Sequence, residues 1–422
     1  MLAPLAGSRR RRPAHLGILA TPKEGPAPFG SAAFFSRLAR TGRRLGLDVF
    51  VFALEWVDWI RRTTVGYVFD EAAGAWTRGV FPLPALVYDR AFHRTRAQAA
   101  RHRAGVARLA ALPGVALLGL GLGGKLEVYR LLAKEPALRD VLPPTEPYDG
   151  PASLARWLKS HGDAVLKPQG GTHGKGVFRI RRLDRGADGS GVPVGVPVEV
   201  PVDAPADAPG DAPAGADAEG GPTPAHRYEA LGRTGANRAA SRRFASLRAL
   251  LAWVDGTLVR GRQYLIQPYL SLTADDGAPF DVRALVQKDG SGRWTLTGAA
   301  ARVGPKGGLT SNLHGGGSAY AAEDYLLRQF GRAETDRILR RIRRAALTIP
   351  PALERGHGPL LELGVDFGVD RGGRVWVLEV NSKPGRTSFT RLKDDRAGVA
   401  AVTSPIRYAR YVLDRQLGGQ NT

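Results

Sequence analysis

Apolar residues along this chain come in short blocks whose spacing switches between the periods of strand and helix. His15–Ala20 and Leu47–Leu54 are apolar runs of strand length, and Ser31–Leu45 between them carries helical spacing. Leu86–Asp89 ends a further short strand, and a basic helix follows to Leu112, where Pro113-Gly114 stops it. Strand and helix in alternation predict a small α/β region with parallel pairing. Asp89, Arg90 and His93 fall just past a strand end, where α/β sheets place ligand contacts; the alternative is that they are charges at the next helix N-terminus.

Helical spacing returns at Lys125–Leu132 and Leu154–Lys159, and Ala164–Lys167 reads as a strand. The loop that follows, Pro168–Phe178, holds Gly170, Gly171, Gly174 and Gly176. Glycine lets main-chain N–H groups close on a phosphate, and Lys167 and Lys175 add charge. Taken alone the loop is equally an ordinary turn, and it is not a P-loop, because Gly-Lys-Ser/Thr is absent. From about 184 to 240 the periodicity dissolves into Val-Pro and then Ala, Asp, Gly and Pro. So little apolar surface cannot offset the entropy of ordering, which predicts a disordered insertion.

Order resumes with a helix over Ser246–Val254, a strand at Gln263–Leu270, and pairing strands at Phe280–Lys288 and Trp294–Arg302. A long loop spans Gly304–Gly317; helices follow at Glu323–Phe330 and Arg332–Leu353, and a last one at about Ile406–Leu417. Between them, Leu361–Thr387 reads as a hairpin. Val365, Phe367 and Val369 alternate with Gly364, Asp366 and Gly368, and Asp370–Gly373 is turn chemistry. On the return run strict alternation puts Val375, Val377, Glu379 and Asn381 on one face. A connection with an even number of residues then brings Asp366 onto the face of Glu379 and Asn381. Acids facing water would sit among other charges, and here there are few. Two carboxylates and an amide oxygen on so apolar a hairpin call for a cation, and hard oxygen donors of this kind suit Mg²⁺ that also holds nucleotide phosphates.

Composition narrows the field. At 422 residues the chain has room for two or three domains. Without cysteine there is no disulfide, thiolate zinc site or cysteine nucleophile. The net charge of +22 is mostly arginine spread along helices, with no basic stripe interleaved with aromatics. That argues against nucleic acid and leaves an anionic substrate or surface open. The apolar run behind Arg9–Arg12 is too short for a signal segment, and no stretch approaches the ~20 apolar residues of a membrane span. A cytoplasmic protein is expected.

A strand ending in lysine, a Gly-rich loop, Gln267-Pro268, an Asp-x-Arg strand and a Glu-x-Asn strand occur here in the order of the ATP-grasp superfamily. More closely, GVDFGVD with VWVLEVNSKPGR, FDVRALVQKD, SNLHGGG and GKLEVYRLL resemble the endospore coat-associated YheC/YheD-type ATP-grasp proteins, from about Gly124 to Leu417 apart from the insertion. The resemblance implies two α+β subdomains clamping ATP behind a small N-terminal α/β domain. The expected division is a disordered basic tail (1–14), an N-terminal domain (15–120), a central subdomain (121–268) interrupted at 184–240, a C-terminal subdomain carrying the Mg²⁺ site (269–417), and a tail (418–422). By motif position Lys125 and Lys167 would contact the ATP phosphates under a lid formed by Gly170–Gly176. Gln267, Pro268 and Tyr269 would line the adenine through the backbone, and Asp366, Glu379 and Asn381 would hold one or two Mg²⁺ ions.

The activity implied is ligation of a small-molecule or peptide carboxylate to an amine or another nucleophile through an acyl-phosphate. Arg283 and Arg302 are candidates to neutralise charge during transfer, since a planar fork grips phosphate or carboxylate; otherwise they are surface partners of Asp281 or Glu323. Asn312, His314, Ser382, Gly385 and Arg386 are substrate candidates. D-alanine–D-alanine ligases share the Glu-x-Asn-x-x-Pro-Gly ending and carry an oxyanion-binding arginine two residues before the metal aspartate. Here that position is Gly364, leaving Arg302 or Arg386 to replace it. The competing reading is a nucleotide-binding scaffold without turnover, partnered with spore-coat or cell-wall components.

Overall fold

The computed structural model describes residues 15–93, 95–171, 174–183, 226–306, 317–390 and 395–418. The first part of the chain runs β1 (His15–Leu19), α1 (Ala32–Arg44), β2 (Asp48–Asp58), β3 (Thr63–Asp70), β4 (Ala75–Pro82), β5 (Leu86–Asp89), α2 (Arg96–Ala110) and β6 (Ala116–Leu117). These strands form a sheet in the order β4-β3-β2-β1-β5-β6. β1 is parallel to β2 and β5, as the strand–helix alternation predicts, and β5 is parallel to β6. The antiparallel β3–β4 hairpin is an addition that the sequence reading missed. Its strands are mostly half-exposed and lack a long apolar run.

A second sheet follows α3 (Lys125–Ala133). It comprises β7 (Glu146–Pro147), β8 (Asp163–Pro168), β9 (Phe178–Arg182), β10 (Tyr228–Arg233), β11 (Ala239–Phe244) and β12 (Tyr264–Gln267), in the order β11-β10-β9-β8-β12-β7. α4 (Pro151–His161) and α5 (Leu247–Trp253) pack on one face, against Leu166, Ile180, Tyr264 and Ile266. The expected insertion 184–240 is therefore too long: Tyr228–Arg233 form β10, paired antiparallel with both β9 and β11, and β11 begins at Ala239, while 184–225 lie outside the described residues. Short side chains such as Ala230 and Gly232 are buried there, so strand pairing rather than apolar content secures the segment.

The third sheet is antiparallel, in the order β15-β14-β13-β16-β17. It contains β13 (Phe280–Lys288), β14 (Trp294–Val303), β15 (Ser318–Ala321), β16 (Glu362–Val369) and β17 (Val375–Asn381). α6 (Ala322–His357), broken at Gly331 as the two expected helices require, lays Ile338, Ile342 and Ile349 on Val282, Val365 and Phe367. On the opposite face, α7 (Thr387–Thr390) and α8 (Asp395–Gly418) cover Leu285 and Ala300 with Phe389 and Ala401. α8 starts earlier than expected and lays Val402, Ile406 and Leu413 on the first sheet. The uncovered part of that face looks across a cleft to the second sheet. No described helix is long and apolar enough to cross a membrane.

Candidate functional site

Antiparallel strands place directly paired residues on a common face. Arg283 pairs with Asp366, Asp281 with Arg302, Asp366 with Glu379, and Gly364 with Asn381, so all these side chains belong to the face turned to the cleft. Glu379 and Asn381 arrive there by a route that strict alternation does not contain. Val375 and Val377 pair with Val369 and Phe367 on the buried face, and a β-bulge at Leu378 reverses the alternation. The trio meets on one face, but the bulge brings it together, not an even-numbered turn.

The centre is a ladder of alternating charge. Arg283 grips Asp366 through Nε and Nη2 (2.9 Å for the latter), while Arg302 Nη2 lies 3.0 Å from Asp366 Oδ2. Arg302 also binds both oxygens of Asp281 at 2.6 Å. The Arg302–Asp281 pair is thus present, but buried rather than on the surface. Burial alone would raise the Asp366 carboxyl, yet Arg283 and Arg302 hold it below its usual range. Burial likewise opposes the Arg302 charge, and Asp366 and Asp281 outweigh it. At Gly364, where the expected arginine is absent, a Cβ would lie 3.2 Å from Arg283 Nη1 and 2.7 Å from Pro384 Cβ. The guanidinium from the neighbouring strand fills that space.

Two lysines close the site from the other side. Lys125, the first residue of α3, reaches Glu379 Oε1 at 3.2 Å and donates to Gly171 O at 3.0 Å, tying the Gly-rich loop to the β17 edge. Lys167 and Val165 share the cleft face of β8 with Leu265 and Gln267 of β12. Burial draws the Lys167 ammonium down to about 8, Glu379 opposing and Lys125 assisting. Two adjoining cavities of about 580 and 1090 Å³ share Lys125, Lys167, Glu379 and Asn381; the larger adds Arg283, Arg302 and Asp366.

The Lys167 shift gives a testable consequence for anion binding. A phosphate would raise this pKa, so affinity is greatest while Lys167 is protonated in the free protein and weakens as pH climbs past about 8. Calorimetric titration of ATP between pH 7.5 and 9 is expected to show this loss. Lys167→Met is expected to bind more weakly at pH 7.5 and to flatten the slope.

Residues 114–190 and 224–412 match the family described as YheC/D like ATP-grasp. The chain belongs to that family. Among its relatives, the endospore coat-associated protein YheC of Bacillus subtilis (strain 168) is 24% identical over 349 residues, 83% of this chain and 84% of that protein. YheD of the same organism is 25% identical over 386 residues, covering 91% and 75%. The crystal structure of the D-cycloserine synthetase DcsG superposes with a TM-score of 0.50 at 15% identity, over 95% of this chain and 99% of that one, a likeness of fold. For this ATP-grasp chain Glu379 and Asn381 offer hard oxygen donors that suit Mg²⁺, whereas both Asp366 oxygens are held by Arg283 and Arg302, so Asp366 would reach an ion only by releasing one of them. Among the described residues no three His, Cys, Asp or Glu side chains cluster to hold an ion by themselves. Two carboxylates and the Asn381 amide oxygen leave positions to be filled by phosphate oxygens and water, which is how Mg²⁺ is ordinarily held.

The remaining expected residues divide. Gly170, Gly171, Gly174 and Lys175 border the cavities, whereas Gly176 donates its N–H to Arg233 O and belongs to the strand pairing. Gln267 faces the smaller cavity with its amide donating to Thr145 Oγ1; Pro268 and Tyr269 border the larger. The Tyr269 N–H donates to Asp163 Oδ1 at 3.3 Å, so that amide is not free for an adenine. Ser382 accepts from the Leu122 N–H, and Gly385 lines the larger cavity. Arg386 is not a cleft residue: it is buried and paired with Glu362 and Tyr88, so it cannot replace the arginine absent at 364. Asn312 and His314 lie outside the described residues.

The Arg386 pairing belongs to a buried network that sequence reasoning missed. Glu362 accepts from Arg90 Nη1 and Gln287 Nε2, each at 2.9 Å, from the Tyr88 hydroxyl and from Arg386. Arg90 also donates to Pro384 O at 3.0 Å. The first sheet thereby anchors the loop that follows Asn381. Arg90 and Asp89 are not helix charges, since Thr95 and Gln98 form the capping box of α2.

Proposed function

We propose that this chain is an ATP- and Mg²⁺-dependent ligase joining a carboxylate to an amine through an acyl-phosphate. One observation carries the reading: Asp366, Glu379 and Asn381 share a cleft face with Arg283 and Arg302, opposite Lys125 and Lys167. Such a face matches an anionic triphosphate that passes a phosphoryl group to a second anion. In this reading Lys125 and Lys167 bind the phosphates, and Asp366, Glu379 and Asn381 hold Mg²⁺. The ion supplies neutralisation of phosphate charge. Arg283 and Arg302 stand where charge develops on the phosphoryl and acyl oxygens, and each such donor is worth roughly 3 kcal/mol of barrier. The donor carboxylate attacks the γ-phosphoryl, ADP leaves, the amine attacks the acyl carbon, and inorganic phosphate departs.

The test is ADP release from the full chain with a pooled panel of amino acids, short peptides and cell-wall precursors. ADP is expected to require a carboxylate and to disappear when EDTA removes divalent ions. Nucleotide that binds without turnover across the panel would reject the ligase and favour the scaffold.

A further inference from the structure

The wall of the larger cavity contributed by the first sheet carries a second cluster of ionisable side chains. Asp89, at the end of β5, accepts at Oδ2 from His102 Nε2 (2.9 Å) and Lys383 Nζ (2.7 Å), and at Oδ1 from the Ala91 N–H (3.0 Å). Lys383 also donates to Ala91 O at 2.7 Å. Side-chain exposure is 8% for Asp89 and 10% for His102, so the pair is nearly enclosed. The His93 ring tilts against His102, centroids 4.2 Å apart, with its own Nε2 buried and without a partner among the described residues. All four residues line the cavity that holds Arg283, Arg302 and Asp366. They come from β5, the loop after it, α2 and the loop after β17, elements brought together only by folding.

We infer that His102, oriented by Asp89, takes the proton from the attacking amine, and that this wall is the docking place of an amine acceptor. The inference rests on the ligase reading above. An α-amino group has a pKa of about 7.7–8.0, so near pH 7 most of it is protonated and cannot attack a carbonyl carbon. Ligation therefore needs a base inside the cavity, and the acid–arginine ladder offers none, because each carboxylate there is already paired with a guanidinium. With Nε2–H donated to Asp89, His102 keeps the lone pair of Nδ1 on a ring that lines the cavity. This is the arrangement in which a carboxylate selects the imidazole tautomer and steadies the imidazolium that forms. The ammonium gives one proton to Nδ1, its nitrogen bonds to the acyl carbon, and the C–O bond to phosphate breaks as the second proton passes from nitrogen to the departing phosphate.

The charged and titratable groups facing His102 favour its role. Burial would raise the Asp89 carboxyl, but the His102 hydrogen bond and the Lys383 ammonium outweigh it and hold it at about 2, so it stays anionic. Burial, His102 and Lys383 lower the His93 imidazole, against Asp89 and Glu55. Arg103 borders the same cavity from α2.

Two measurements on the full chain decide the matter. In histidine-labelled ¹⁵N NMR near pH 8, with His102→Gln for assignment, neutral His102 is expected as the Nε2–H tautomer. The Nδ1–H tautomer would overturn the inference, because no base would then face the cavity. The second measurement uses the pooled amino acids with and without hydroxylamine, which is largely unprotonated at neutral pH and needs no base. His102→Gln is expected to form hydroxamate within about threefold of wild type at pH 7. Its amide formation should fall at least about a hundredfold and recover as pH rises. Loss of both products, or of neither, would overturn the inference while leaving the ligase reading intact. Wild-type protein forming neither hydroxamate nor amide would overturn the ligase reading, and this inference with it.

Discussion

Glu379→Gln is expected to reduce carboxylate-dependent ADP release by at least about 10²–10³-fold while leaving the fold unchanged. The side chain stands on the cleft face of β17 with 27% of its surface exposed and, among the described residues, a single ion pair, to Lys125. An ion pair so open to solvent contributes little to stability, roughly 0–1 kcal/mol, and the amide keeps the volume and a hydrogen-bond acceptor. What disappears is the negative charge opposite Asp366. A coupled ADP assay beside a thermal melt followed by circular dichroism separates the two effects. Equal turnover in variant and wild type would remove Glu379 from the machinery and the ligase reading with it.

The largest effect on stability is expected at Glu362. Its side chain is 1% exposed and balances Arg90 and Arg386, which are themselves buried. Glu362→Ala leaves two guanidiniums uncompensated in the interior, a change that typically costs about 3–5 kcal/mol. Phe34, against which both guanidiniums lie, cannot replace a full countercharge. Denaturant titration of the full chain should show a lowered midpoint. The pH dependence has a defined sign. Burial pushes the Glu362 carboxyl up, but Arg386 and Arg90 outweigh it, so its folded pKa lies below the unfolded value. Its contribution is therefore complete above the unfolded pKa of about 4.3 and is lost as pH falls through the lower folded one. Glu362→Gln should flatten the stability profile across that acid range. An unchanged midpoint for the alanine variant would mean that water reaches the arginines.

Much of the third sheet was legible from alternation alone. The pairing of β13 with β14, the break of α6 between Phe330 and Arg332, and the existence of the β16–β17 hairpin follow from short-range patterns, but the common face of Asp366, Glu379 and Asn381 does not, because it depends on the bulge. Strands β10 and β11 were not, because their alanines, glycine and arginines lack an apolar signature and are secured by neighbouring strands. Nor was the hairpin β3–β4.

Local order in the chain thus carried the elements with an apolar signature, the residue types of the donor trio and the lysine one position before the end of β8, since each depends on short-range patterns. Only the packed molecule decided how those pieces meet. The bulge at Leu378 turns Glu379 toward Asp366, Arg283 fills the space above Gly364, Arg386 leaves the cleft for Glu362, and Asp89 finds His102 and Lys383. Lys383 is 294 positions from Asp89, a separation at which no periodicity survives. Their meeting is set by the burial of charge, which demands a partner wherever the fold supplies one.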